Sequence, residues 1–252
     1  MKIFKFFLLF SCIGTIQAQT HSPYDNSWKV DVTPYLWAIN MNGTVQVGPA
    51  RTHLNQDFGD ILKNFNYGGM LWVDAYKNNL GIFVNALYAS LGNNFKDGPV
   101  KVDANNQFGL FSGGLSYKVY DCHAFSVEPY AGFRYTLNDT TVKLSIPSLF
   151  YLRSTNNKHW TDPIIGARLR YDFTKAWSVT LAGDIGGTNA SKQYSYNLIG
   201  LLGYSPQTVM TNTTAYLGYR LLDQHYITGS GLNYYNWNMK IFGPLIGIAF
   251  KF

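Results

Sequence analysis

The stretch GPLIGIAFKF, residues 243–252, sets apolar side chains at every second position and places a lone lysine, Lys251, between two phenylalanines. A period of two is the signature of a strand. Phe242, Pro244, Ile246, Ile248, Phe250 and Phe252 share one face, and Gly243, Leu245, Gly247, Ala249 and Lys251 share the other. A water-soluble sheet would expose the polar face. Here the bulky apolar face asks for an apolar solvent, and the small, charge-bearing face suits an interior. Lipid outside and a wet or polar-packed lumen inside are the conditions of a transmembrane β-barrel.

The opposite end points the same way. MKIFKFFLLFSCIGTIQAQT carries Lys2 and Lys5, an apolar run over 6–13, and small or polar residues leading to Ala18. This is the pattern of a secretory signal peptide, predicted to be cleaved after Ala18. Its apolar run is shorter than the roughly 20 residues that a spanning helix needs. A lipoprotein signal ending at Cys12 is the weaker alternative, because Phe10 stands where a small residue is wanted. The expected organisation is therefore a leader over 1–18 and one barrel domain over 19–252.

No later stretch approaches a transmembrane helix, and the chain holds 19 Tyr, 17 Phe, 6 Trp and 24 Gly with only 13% charged residues. An aromatic-rich, charge-poor chain of strands fits the outer membrane. The formal net charge is +6, of which the two leader lysines supply 2, leaving +4. No basic run concentrates it, so nucleic acid is not an expected partner. With Cys12 in the leader, Cys122 stands alone and no intramolecular disulfide is possible.

WKVDVTPYLWA (28–38) alternates in two faces, and GTVQV (43–47) and RTHLNQ (51–56) flank turn residues as a short hairpin. DFGDILKNF (57–65) carries the one helical signal, with Asp57 as its cap. Further strands are expected near 67–77, 80–91, 107–119, 124–137, 161–172, 177–187, 209–221, 225–236 and 242–252. Short connections (KNN, YDCH, FTKA, LDQH) alternate with long polar ones at 92–106, 138–160 and 188–208, matching tight periplasmic turns and long external loops. The fold class is all-β: an antiparallel barrel expected to have twelve strands, with the 43–56 hairpin contributing two, and ten strands as the alternative if it does not.

Strand parity names the lumen side chains. Asp31, Asp74 and Asn85 come from the early strands, and Lys118, Glu128 and Arg134 from the middle. Arg168, Arg170, Asp184, Arg220 and Lys251 complete the inward set. Acids and bases opposed across a narrow bore are expected to pair, and the excess of bases would favour anions in an open one. Trp28, Tyr120, Tyr171, Trp177 and Trp237 are expected in the interfacial girdles.

In order along the chain, PYLWA (34–38), GTVQVG with DFGDIL (43–48 and 57–62), GDIGG (183–187), LGYR (217–220) and the closing GPLIGIAFKF resemble a family of Gram-negative outer-membrane β-barrel proteins. That family is broadly in the company of OmpW-like and OmpA-like small barrels and porins. The resemblance implies a porin-like or structural membrane protein and supplies no catalytic residues. Phe250 and Phe252 resemble the terminal signal read by the outer-membrane insertion machinery, and lipopolysaccharide would be the surrounding lipid of the outer leaflet. The segment 191–208 departs from the pattern, and its apolar NLIGLLGY is expected to brush the membrane surface or cap the pore.

Enzyme chemistry finds little footing. The histidines are His21, His53, His123, His159 and His225, and none joins a G-x-S-x-G elbow or a metal-ligand spacing. HWTD (159–162) sets His159 near Asp162 with Ser154 not far off, the remote case for a lipid hydrolase. No cofactor motif is present, since no helix follows GDIGGT to make a phosphate loop. The leading expectation is a small porin-like channel for small polar or anionic solutes. The alternative is a closed barrel whose external loops mediate surface interactions.

Overall fold

In a medium without water every backbone N–H and C=O must be paired internally, so strands that cross a membrane close into a barrel. The computed structural model describes residues 27–97, 100–122, 124–146, 150–207 and 212–252, and the leader over 1–18 lies outside them. The chain begins with β1 (Lys29–Trp37), β2 (Asn40–Val47) and β3 (Ala50–Gln56). After the helix α1 (Phe58–Lys63) come β4 (Phe65–Lys77), β5 (Leu80–Asp97), β6 (Val100–Tyr117) and the short β7 (Tyr120–Cys122). β8 (Phe125–Ile146), β9 (Phe150–Asp172), β10 (Trp177–Asn189), β11 (Gln193–Tyr204), β12 (Thr213–Thr228) and β13 (Tyr235–Lys251) follow.

All pairings are antiparallel, and β1 joins β13 to close the wall. The backbone of Val30 exchanges two hydrogen bonds with Phe252 at that seam, at 3.1 and 2.9 Å. Going round, the order is β1, β4, β5, β6, β8, β9, β10, β11, β12, β13. The wall therefore has ten strand positions, the alternative count, and not twelve. The early hairpin adds none, because β2 continues β1 along the same partner, β13, and β3 pairs only with β2.

The junction of β1 and β2 depends on Gly243. A side-chain carbon there would collide with the carbonyl oxygen of Ala38, while the Trp37 indole donates to the Gly243 carbonyl at 3.2 Å. Asp57 caps α1 by accepting from the Asp60 amide at 2.8 Å, as the sequence spacing predicts.

Four segments differ from the sequence reading. The long polar connections expected at 92–106 and 138–160 are largely strand, because β5 and β6 stay paired out to Asp97 and Val100, and β8 and β9 out to Ile146 and Phe150. The stretch read as a long loop over 188–208 contains β11, so NLIGLLGY crosses within the wall between β10 and β12. LDQH is no turn but the middle of β12, paired to β13 throughout. These last two errors cancel in the strand count, and the extended hairpins leave it unchanged.

The outer surface is a band of large apolar side chains. Leu36, Leu115, Phe133, Ile165, Leu181, Leu198, Leu217 and Ile246 are each half or more exposed. Such a band finds its solvent in hydrocarbon. Trp28, Tyr120, Tyr171 and Trp177 are exposed near the end that holds the short turns, Ser27 and Phe252, here called the terminal end. The β5–β6 and β8–β9 hairpins extend from the opposite, hairpin end.

Candidate functional site: the barrel lumen

The inward set named by strand parity stands at two levels of the interior. Asp31, Asp74, Lys118, Glu128, Arg168, Arg170, Arg220 and Lys251 line a cavity at the terminal end. Asn85, Arg134 and Asp184 stand deeper, around mid-height. Phe250 points outward at the terminal end, and Phe252 is largely exposed.

Three layers follow one another along the bore. The first is a vestibule of about 580 Å³, open at the terminal end. One wall is tied together across the lumen by Arg168, which bonds Asp74 on β4 at 3.1 Å and lies 3.6 Å from Glu128 on β8. Tyr76 joins the same group through Arg168 and Glu128. Arg170 is held by Asp172 at 2.8 Å, and Lys118 by Asp121 at 3.7 Å.

The second layer is a packed polar belt. Asp184 accepts from Arg134 at 2.6 Å, Asn197 at 2.8 Å and Tyr130 at 3.0 Å. The Arg134 and Asp184 side chains are 1% and 3% exposed, so this is an ion pair removed from solvent. Gly166 makes it possible, since a side chain there would strike both Asp184 and the ring of Tyr130. Asn197 links the pair to Arg220, whose Nε donates to it at 3.0 Å and whose Nη1 donates to Asn85 at 3.2 Å. Only about 20 Å³ of space remains in the belt.

The third layer, toward the hairpin end, is apolar. Trp160 stacks on Tyr226 at 4.6 Å and meets Trp237 at 6.1 Å, and Phe108 stacks on Trp237 at 6.2 Å. Leu87, Leu110, Leu222, Met239 and Ile241 fill the remainder and are fully buried. Gln224 and Tyr235 brace the layer through hydrogen bonds to Thr136 and Asn138 on the far wall. The expected interfacial role of Trp237 is therefore corrected: it faces the lumen and is 3% exposed. A tryptophan near a strand end serves a girdle or a plug equally well by sequence, and strand parity decides between them.

Asp162 does not stand beside His159, contrary to the expectation from the HWTD stretch. It points into the bore, accepts from Gln193 at 2.8 Å and stands opposite Arg134 across β8 and β9. His159 points out of the barrel and pairs with Asp139 at 3.0 Å. Residues three apart on a strand face opposite sides, so HWTD forms no dyad. His53 and His225 also face outward, and no cluster of metal-ligating side chains occurs among the described residues.

No family model matches the chain, and no curated protein matches it. Solved structures do. The outer-membrane protease OmpT from Escherichia coli superposes with a TM-score of 0.60 at 10% identity, over 93% of this chain and 99% of that one. The fold is that of an outer-membrane β-barrel. The attachment invasion locus protein Ail of Yersinia pestis (11% identity, TM-score 0.38, 89% of this chain and 98% of that one) and OpdK of Pseudomonas aeruginosa (8%, 0.28, 91% and 100%) are outer-membrane barrels too, at scores too low to inform this chain's function.

Proposed function

We propose that the chain is an outer-membrane barrel with a sealed lumen, acting as a scaffold that presents its hairpin end to the cell exterior. On this reading the terminal end faces the periplasm, and lipopolysaccharide surrounds the outer rim. The insertion machinery would read Phe250 and Phe252. The contacts made at the surface fall to the β2–β3, β5–β6 and β8–β9 hairpins.

The observation that carries the reading is the solvent-inaccessible layer from Trp160 to Ile241. In a water-filled channel the inward side chains would be wetted along the whole bore. Here Leu87, Leu110, Leu222, Met239 and Ile241 each expose none of their surface. The eleven inward polar residues are accordingly proposed as packing and pairing groups, with eight of them also lining a space that ends blindly. A channel for small polar or anionic solutes is the competing reading. Liposome swelling separates the two: vesicles carrying the protein should swell in arabinose or glycine no faster than empty vesicles. Swelling that falls with solute size would favour the channel.

A further inference from the structure

The vestibule is larger than packing needs and lies within the range of small-molecule sites. Three of its four carboxylates are paired with bases, and the fourth, Asp31, faces one. Asp74 and Glu128 share Arg168, Asp121 holds Lys118, and Asp31 stands opposite Lys251 across β1 and β13. Arg220 at the inner end is different. It is 2% exposed, and among the described residues no carboxylate comes within 4.0 Å of it. Its partners are the amide oxygens of Asn197 and Asn85, the Tyr35 hydroxyl and the face of Trp37, whose ring centre is 4.8 Å away.

Amides, a hydroxyl and a ring satisfy the geometry of a guanidinium without a direct ion pair. Asp184 reaches Arg220 only through Asn197 and is already paired with Arg134. A buried cation is best stabilised when a charge partner and hydrogen bonds are both met. The wall beside it is apolar, built from Ile199, Leu201 and Leu245. A strongly hydrated inorganic anion gains nothing from such a wall, whereas the hydrocarbon part of an organic acid does.

We propose that the vestibule is a binding site for a small organic carboxylate, which enters from the terminal end, seats its carboxylate at Arg220 and lays its hydrocarbon part against Ile199, Leu201 and Leu245. The site rests on the sealed-lumen reading, which makes the space a dead end and not a passage. The rim sets Lys29, Lys118 and Lys251 against Asp31 and Asp121, a small positive excess that favours anions at the mouth.

The test is calorimetric titration of the whole mature chain, folded in detergent micelles at low ionic strength, with benzoate, benzyl alcohol, benzylamine and inorganic phosphate as probes. Benzoate is expected to bind one to one and at least tenfold more tightly than the other three. Arg220→Gln should weaken it at least tenfold. Because that substitution also disturbs two hydrogen bonds, Leu201→Trp provides a second variant. It fills the apolar wall, leaves the bonds of Arg220 in place and should weaken benzoate similarly. Absence of saturable binding to the folded protein overturns the site, as does benzyl alcohol or phosphate binding as tightly as benzoate, or full affinity in both variants. A non-conducting barrel that fails to bind benzoate removes the site alone. A conducting barrel that binds it removes the sealed lumen and keeps the site.

Discussion

Replacing Asp184 by asparagine keeps the shape of the polar belt and removes its charge. Asp184 accepts three hydrogen bonds, from Arg134, Asn197 and Tyr130, and its partner guanidinium is 1% exposed. Removing one member of a buried pair costs about 3–5 kcal/mol, because the other charge is left without compensation. Arg134 retains the Ser195 hydroxyl at 3.1 Å and has Asp162 opposite it, which places the expected loss at the low end, about 3 kcal/mol. Arg134→Gln alone should cost as much. The double variant should cost much less than the two together, since neither charge is then stranded. Urea titration in lipid vesicles, read by heat-modifiable mobility on gels, measures all three. An Asp184→Asn loss below about 1 kcal/mol, or single losses that simply add, would refute a desolvated, coupled pair.

Three further outcomes follow from the wall. Leu181→Arg puts a charge in the lipid band and should cost about 2–4 kcal/mol, whereas Thr180→Arg enters the vestibule and should cost less than half as much; equal losses in urea titration would overturn the strand parity. Gly243→Ala forces a carbon into the Ala38 carbonyl and should destabilise by about 1–3 kcal/mol, while an unchanged midpoint would mean that the β1–β2 junction yields freely. Deleting Phe252 removes both backbone bonds to Val30 along with the terminal aromatic, and should lower the amount of heat-modifiable barrel recovered from membranes; equal recovery would remove Phe252 from assembly.

The strand parity was readable because alternation survives wherever one face meets lipid and the other meets small or polar groups, as from Trp28 to Trp37 and from Phe242 to Phe252. It failed where both faces are apolar. In β11 the outward Leu198 and Leu202 alternate with the inward Ile199 and Leu201, so the period of two vanishes and flanking polar residues make the stretch look like a loop. In β12 the cluster Leu222–Asp223–Gln224–His225 imitates a turn. There Gln224 is buried against Thr136, while Asp223 and His225 face outward beyond the apolar band. The same double apolarity concealed the plug. Leu110, Leu222 and Met239 carry no mark in the sequence that sends them inward, and only the pairing register assigns them. The vestibule charges were legible one by one. Their partners were not, because Arg168 reaches Asp74 across the bore from 94 positions away.

On the proposed reading the apolar layer around Trp160 and Trp237 seals the bore. Single-channel recording of the purified wild-type protein in planar bilayers tests this most directly. The sealed lumen predicts a flat trace with no discrete steps at any applied voltage that the bilayer survives, from protein shown to be inserted by its heat-modifiable mobility. Reproducible unitary steps from that inserted protein would contradict it.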